Sequence, residues 1–329
     1  MSKLSVVVPA YNESDVVAKT AITINRILKN AGITHEIVFV DDGSTDHTWK
    51  NIESLCAQDI NVLGVKLSRN FGKESAILAG LSHAKGSAIA IIDCDLQHPP
   101  DLLVDMFRIW AGGGVDIVEG VKLSRGHEGF VYRGFANLFN CLVESLCGIK
   151  LKDSSDFKLL DRRVVDIIVN MPERQRFFRA LSSWIGYNRV EIPFCVESRM
   201  SGNSKFNFRK SAIYALTNIA SFSSAPMQLV TFIGVGFSAA AFVMGIHTLL
   251  AWILHRAVEG FTTVILLLLI IGSMLMISLG IIGFYIGKIY EEIKFRPPYL
   301  VEIVTGGNDM TKNREDNIYE QGITKQNSI

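Results

Sequence analysis

The 329-residue sequence lacks an excess of either charge sign: 33 Lys+Arg stand against 32 Asp+Glu, for a net charge of +1. Such a chain gives no support to a general nucleic-acid-binding surface. Cysteine is sparse. Cys56, Cys94, Cys141, Cys147 and Cys195 are odd in number and contain no Cys-x-x-Cys pair, which speaks against a disulfide framework or zinc site and for a reducing setting. No Gly-x-Gly-x-x-Gly follows the first apolar run, so a dinucleotide-dependent oxidoreductase is disfavoured. The opening MSKLSVVVPAYNE has neither a long apolar region nor a small-residue cleavage site, and no secretory signal is expected. Disorder is excluded for the bulk of the chain, since 49% of its residues are hydrophobic.

Charge is missing most conspicuously from two windows. Leu229–Leu254 and Phe261–Gly287 contain no Asp, Glu, Lys or Arg, and each exceeds the roughly 20 apolar residues a helix needs to cross a bilayer. They predict a transmembrane hairpin over 227–290. His247 has no acid or second His with it in either window, so it reads as a packing residue rather than a proton relay. Lys205, Arg209 and Lys210 precede the first window, Lys288, Lys294 and Arg296 follow the second, and the connection between them holds only Arg256. The positive-inside tendency then places both termini of this multi-pass membrane protein in the cytosol. Residues 205–226 mix aromatics with cations and suit interfacial amphipathic helices. The tail, 291–329, is expected to be cytosolic and largely disordered after 305.

The region 1–204 reads as a soluble α/β domain. Leu4–Pro9, Glu36–Val40, Val62–Leu67, Ile89–Asp93 and Asp116–Gly120 are β-branched runs, alternating with the helix-like Ser14–Ala31, Thr45–Cys56 and Phe71–Ala84. That alternation predicts a mainly parallel sheet covered on both faces, with ligands beyond the carboxyl ends of the strands. Three strand ends carry candidate chemistry. Asp93 and Asp95 follow an apolar run at i, i+2, on one side of extended backbone, where two like charges invite a hard divalent cation; Gln97 and His98 stand ready to support it. Asp41-Asp42 precede Gly43-Ser44-Thr45, a turn with Ser44 or Thr45 as helix cap, and one of these acids is free to accept bonds from a base or ribose. Arg69 and Lys73 flank the start of a helix, a place suited to an anion.

In combination VVVPAYNE (6–13), VDDGSTD (40–46), NFGKE (70–74) and DCDLQHPP (93–100), followed by two apolar windows, resemble the inverting family 2 glycosyltransferases of GT-A, Rossmann-like fold. Within these the pattern is most similar to polyisoprenyl-phosphate glycosyltransferases, closest to bactoprenol glucosyltransferases, with dolichol-phosphate mannose synthases more distant. The resemblance implies a nucleotide-sugar donor, UDP-glucose as first choice, a Mg²⁺ or Mn²⁺ ion, and an undecaprenyl-type polyprenyl phosphate acceptor. It assigns donor contacts to Pro9, Tyr11, Glu13, Asp41, Asp42, Lys73 and Asp93, and the metal to Asp93, Asp95 and Gln97, with Asp95 counted among the catalytic residues. Asp156 falls where relatives carry an acid proposed as base. Arg199 and Lys205 flank a loop resembling the family's flexible cover for the diphosphate. Arg133 and Asn137, at i, i+4 on a helix-like segment, can grip one anion with Arg125 closing from the preceding loop, and these match the family's acceptor-phosphate contacts.

The implied product is a lipid-linked sugar for surface glycan modification, as of an O-antigen, which calls for a downstream glycolipid flippase. Gly234-Val235-Gly236 and Ala239–Ala241 permit close helix contact and hence a homo-oligomer. A processive polysaccharide synthase is the first rival; it would need more spans and a Gln-x-x-Arg-Trp motif, against which Gln175-Arg176-Phe177-Phe178-Arg179 is one position out of register. An inert membrane-anchored nucleotide-sugar-binding scaffold is the second, and intact Asp93, Asp95 and Asp156 argue against it.

Overall fold

A computed structural model describes residues 3–122, 154–173, 177–194, 225–254 and 260–307. The chain divides into two compact units, Met1–Lys205 together with Pro297–Ile329, and Phe206–Arg296.

The first unit is built on an eight-stranded sheet. Its strands are β1 (Leu4–Ala10), β2 (His35–Asp41), β3 (Val62–Leu67), β4 (Ala88–Ile91), β5 (Ile117–Lys122), β6 (Ser154–Asp161), β7 (Arg189–Phe194) and β8 (Val301–Gly306), in the order β7-β5-β6-β4-β1-β2-β3-β8. The four central strands β4-β1-β2-β3 are parallel. Their Val- and Ile-rich residues are buried on both faces, as strands covered by helices on each side must be. Pro9 fits this central strand because Val7, two residues back, already takes the last β4 bond, from the Ile92 N–H. Beyond it the ladder on that side has ended, and the missing proline N–H costs nothing.

The sheet is mainly parallel, as expected, with two strands running the other way. β6 runs antiparallel between β4 and β5, and β8 is antiparallel to β3. β8 brings part of the tail into the unit that the sequence reading ended at 204: residues 301–306 form an edge strand of this sheet. Ser68 N–H donates to Leu300 C=O, Tyr299 Oη to Ser82 Oγ at 3.1 Å, and Lys66 pairs with Glu302 at 2.9 Å.

Helices α1 (Val17–Asn30), α2 (Thr48–Gln58) and α4 (Leu102–Ala111) pack on one face, where Ile24, Leu28, Phe39, Ile52, Leu103 and Phe157 form a core. On the other face α3 (Lys73–His83), α5 (Arg162–Asn170) and α6 (Phe178–Trp184) enclose Val38, Val65, Ile77, Leu81, Leu160 and Val164. α1 shows the usual logic: its buried residues Val17, Thr20, Ala21, Ile24 and Leu28 recur at helical spacing on one stripe. α3 lies so close to β1 that a Cβ at Gly80 would come within 2.2 Å of Val7 Cγ1. That contact sets the height of α3 and with it the position of Lys73.

The second unit contains α7 (Ala225–Ile253) and α8 (Phe261–Ile293). Among the described residues, Ile270–Ile293 is the one helical stretch long and apolar enough to cross a membrane, and Val230–Met244 is a shorter apolar helix. Phe232, Phe242, Leu268 and Met276 stand exposed on them. The two uncharged windows are therefore helical, one of them meeting the length criterion over its described residues.

Candidate active site

The carboxyl ends of β1, β2 and β4 converge with the start of β6. The loop after β1 is stitched to the loop after β2. Asn12, held at φ 55°, donates its N–H to Ser44 Oγ (2.9 Å) and accepts the Thr45 N–H on Oδ1 (2.9 Å). Glu13 N–H donates to Thr48 Oγ1 (2.8 Å), and Asp46 accepts the Thr48 N–H (2.9 Å). Ser44 and Thr45 are thus loop ties, and α2 starts at Thr48, later than their capping role would require. Gly43 presses on the loop after β3. At φ +66°, a Cβ there would sit 2.4 Å from the Arg69 carbonyl carbon, so only glycine fits. Within this frame Pro9 is buried in β1, Tyr11 is 45% exposed beyond it, and Glu13 is half-buried.

Asp41 and Asp42, equivalent by sequence, have different surroundings. Both Asp42 oxygens accept backbone N–H groups, from Phe71 at 2.7 Å and Gly72 at 2.9 Å. Asp42 therefore organises the entry to α3, which explains why that helix begins at Lys73. Asp41 is fully buried; its Oδ1 accepts the Ser44 N–H at 3.2 Å, while Oδ2 has no partner among the described residues. Burial raises the carboxyl of each above its ordinary value, against the bonds from Ser44 in one case and from Phe71 and Gly72 in the other. A buried oxygen without a partner is rare in a folded protein, and this one is able to accept a bond from a ligand donor.

The second cluster joins Lys73, Asp93, Asp156 and Arg179. β4 and β6 pair Ile91 with Lys158, and the same antiparallel register carried two residues on sets Asp93 opposite Asp156. Lys73 Nζ bridges them, 2.6 Å from Asp93 Oδ1 and 2.8 Å from Asp156 Oδ2. From α6, Arg179 forks onto Asp156, Nε to Oδ1 at 2.7 Å and Nη2 to Oδ2 at 2.9 Å. Asp156 is 5% exposed. Burial alone would raise its pKa, but Lys73 and Arg179 outweigh it and hold the carboxyl far below the usual range. Desolvation likewise works against the Lys73 ammonium, yet Asp93 and Asp156 keep it above its ordinary value. Next to this cluster the buried Lys158 pairs across strands with Glu119 at 3.1 Å, and Arg189 reaches Glu119 at 3.4 Å.

Asp95 is half-buried and accepts the Gln97 N–H on Oδ1 at 3.1 Å, a turn that leaves Leu96 at φ 56°. His98 stacks on Phe157 with ring centroids 5.1 Å apart, its Nδ1 4.0 Å from Asp93 Oδ2. Cys94, between the acids, is a core residue whose thiol is pushed up to about 12 by burial, so it is no nucleophile. Among the described residues no group of three His, Cys, Asp or Glu could hold a metal ion. Two carboxylates at a strand end nonetheless fit a Mg²⁺-like ion, which keeps waters and completes its shell with substrate phosphate oxygens instead of a full protein cage.

The structure brings together Lys73, Asp93 and Asp156, and separately the Asp41 oxygen with the loops carrying Tyr11 and Glu13. Arg125, Arg133, Asn137, Arg199 and Lys205 lie outside the described residues. So do the interfacial segment up to 224 and the connection 255–259. Sequence patterning does not single out Arg179; its trace is the Gln175-Arg176-Phe177-Phe178-Arg179 run, one position out of register with Gln-x-x-Arg-Trp.

A family model described as glycosyl transferase family 2 matches residues 5–163. The chain is 38% identical over 306 residues to an uncharacterized glycosyltransferase of Synechocystis, covering 92% of this chain and 96% of that one. It is 36% identical over 304 residues to a prophage bactoprenol glucosyl transferase homolog of Escherichia coli, covering 92% and 99%. With the bactoprenol glucosyl transferase of Shigella phage SfII it shares 34% identity over 308 residues, covering 93% and 99%.

Proposed function

The chain belongs to glycosyltransferase family 2 and is a hexosyltransferase; from that premise we propose that it transfers glucose from UDP-glucose to a polyprenyl phosphate, with inversion, at the cytosolic face of the inner membrane. The observation that carries the reading is that one edge of the sheet holds an open acid, Asp41 Oδ2 at the carboxyl end of β2, and the Lys73–Asp93–Asp156–Arg179 cluster, where the carboxyl end of β4 meets the start of β6. The first suits a nucleoside donor group; the second suits a diphosphate and its counterion. Tyr11 offers an aromatic face at the rim for the base, with Pro9 and Glu13 beside it.

In the reaction an acceptor phosphate oxygen forms a bond to the anomeric carbon from one side. The bond from that carbon to the donor diphosphate breaks on the other, and its electron pair leaves on the diphosphate oxygen. A phosphate monoester has a second pKa near 6, so at pH 7 the acceptor is mostly the dianion and no proton has to be removed. This agrees with the state of Asp156. A carboxylate held ionised by two cations is a poor proton acceptor near neutrality, where an effective general base has its pKa. Asp156 instead fixes Lys73 and Arg179, whose positive charge faces the phosphates. Asp93 and Asp95, with Gln97 beside them, would hold Mg²⁺ or Mn²⁺, which when bound supplies further positive charge to the leaving diphosphate. Arg199 and Lys205 are proposed to close over that diphosphate, and Arg125, Arg133 and Asn137 to receive the acceptor phosphate.

The exposed apolar helices α7 and α8 suit a membrane hairpin with both termini cytosolic, its flanking cations on that side. A polyprenyl tail confines the acceptor to the same bilayer, so tethering raises its effective concentration at the site. The product, an undecaprenyl-type lipid-linked glucose, would pass to a glycolipid flippase and serve surface glycan modification. Small residues along α7 allow a homo-oligomer.

The test is to incubate the purified full chain with Mg²⁺, undecaprenyl phosphate and a panel of UDP- and GDP-sugars, and to analyse the lipid by mass spectrometry. A hexosyl-lipid formed with UDP-glucose is expected. Folded protein that yields no glycolipid with any donor would overturn the reading.

A further inference from the structure

Arg179 reaches Asp156 from a helix of seven residues, α6, so the fork depends on how that helix is seated. Polar ties to its neighbours hold α6 besides its apolar face of Phe178, Ala180 and Leu181. Glu74 Oε2 accepts the Phe178 N–H at 2.9 Å. Arg179 grips Asp156. Lys158 Nζ donates to Ser182 Oγ at 2.7 Å, and Arg189 Nη1 donates to Ser183 Oγ at 2.9 Å. The first of these satisfies a first-turn amide that the helix itself cannot pair. Phe178 immediately precedes Arg179, so that bond fixes the backbone from which the guanidinium extends.

We infer that Glu74 is a positioning residue of the transferase site: its carboxylate on α3 caps α6 and so sets where Arg179 meets Asp156. Adjacent residues of α3 then bring both cations of the cluster to Asp156. Lys73 binds Asp156 directly, and Glu74 seats the helix that delivers Arg179. The surroundings of Glu74 agree with this. Desolvation and the Asp156 charge on β6 push its carboxyl up to about 7, while the Phe178 N–H, Lys73 on its own helix and Arg179 on α6 pull it down. A carboxyl set among these four groups belongs to the cluster electrostatically, although it touches no reacting atom. The amide of glutamine has the same shape and keeps a carbonyl acceptor for the Phe178 N–H, which separates positioning from charge.

This inference rests on the proposed transfer reaction, and the experiment separates the two. Glu74→Ala, Glu74→Gln, Arg179→Ala and the Glu74→Ala/Arg179→Ala double variant are compared in glucosyl transfer from UDP-glucose to undecaprenyl phosphate. Amide hydrogen exchange over 177–184 is measured alongside. Glu74→Ala is expected to lower kcat about 30-fold with donor KM within about twofold, Glu74→Gln to recover to within about threefold of the parent, and the double variant to be no slower than Arg179→Ala. Losses that multiply in the double variant, or a Glu74→Gln variant as slow as Glu74→Ala, would overturn the inference. If the parent protein transfers no sugar, the functional reading fails and hydrogen exchange alone decides. Protection of the Phe178 amide lost in Glu74→Ala and kept in Glu74→Gln supports the positioning role, and protection unchanged in Glu74→Ala overturns it.

Discussion

Strand β2 carries a buried acid near each end, and the two ends are finished differently. Glu36 accepts Ser5 Oγ–H at 2.5 Å and the Lys85 N–H at 2.6 Å and pairs with Lys3. Around it Gly86 N–H donates to Ser5 Oγ, and Arg162 holds the carbonyls of Ala84 and Gly86. Burial works against the Glu36 charge, but the bonds from Lys3, Ser5 and Lys85 outweigh it and leave the carboxyl below its ordinary value. Five residues on, Asp41 has an oxygen without a partner and a carboxyl that burial has raised. One end is a closed knot in which each acceptor has its donor. The other keeps binding capacity unspent, a cost to folding of roughly 1–3 kcal/mol for such a group. A buried acid alone does not mark a site; its unmet hydrogen bonding does.

The comparison is broken most forcefully at the open end. Asp93→Asn is expected to lower kcat about 10³-fold, the scale of losing a preorganised charge in a reacting site, while the thermal midpoint stays within a few degrees; a transfer assay and a melt on one preparation check both. At the closed end Glu36→Gln should reverse that pattern. It is expected to cost about 2 kcal/mol of stability by denaturant titration, because a charged acceptor is lost among donors arranged for it, with kcat within about twofold below the melting range. A smaller effect lies in pH. Glu74 titrates at about 7 in the folded protein against a reference of 4.5. Its contribution to stability is full below about 4.5 and is lost as pH rises through about 7, because the folded state retains a proton that the unfolded chain has released. Glu74→Gln should flatten this part of the fall in melting temperature between pH 5 and 8. The lowered pKa of Glu36 acts in the opposite sense, giving stability above 4.5 that is lost on acidification.

The sequence alone reveals the parallel half of the sheet, because β1 to β4 and their helices announce themselves by local periodicity. It reveals the acids of the site because they stand at the ends of those runs. What it conceals is non-local. β6 carries Asp156 and Lys158 at buried positions, which breaks the apolar pattern of a strand; Lys73, Glu119 and Arg179, remote in sequence, make that burial tolerable. Asp41 and Asp42 are interchangeable on paper, and only the approach of Phe71 and Gly72 to Asp42 separates an acid with an open oxygen from a loop clasp. β8 is a short β-branched run, Val-Glu-Ile-Val-Thr-Gly, and only its pairing with β3 gives it a place in the sheet. Arg179 could be found only by knowing which strand α6 packs against.

The most direct measurement is a calorimetric titration of UDP into the full chain with Mg²⁺ present, comparing the parent with Asp41→Asn and Glu36→Gln. If the open end of β2 is the nucleoside site, Asp41→Asn binds about tenfold more weakly, near 1.4 kcal/mol, and Glu36→Gln binds as the parent does. Equal affinity in all three, or a loss confined to Glu36→Gln, would contradict it.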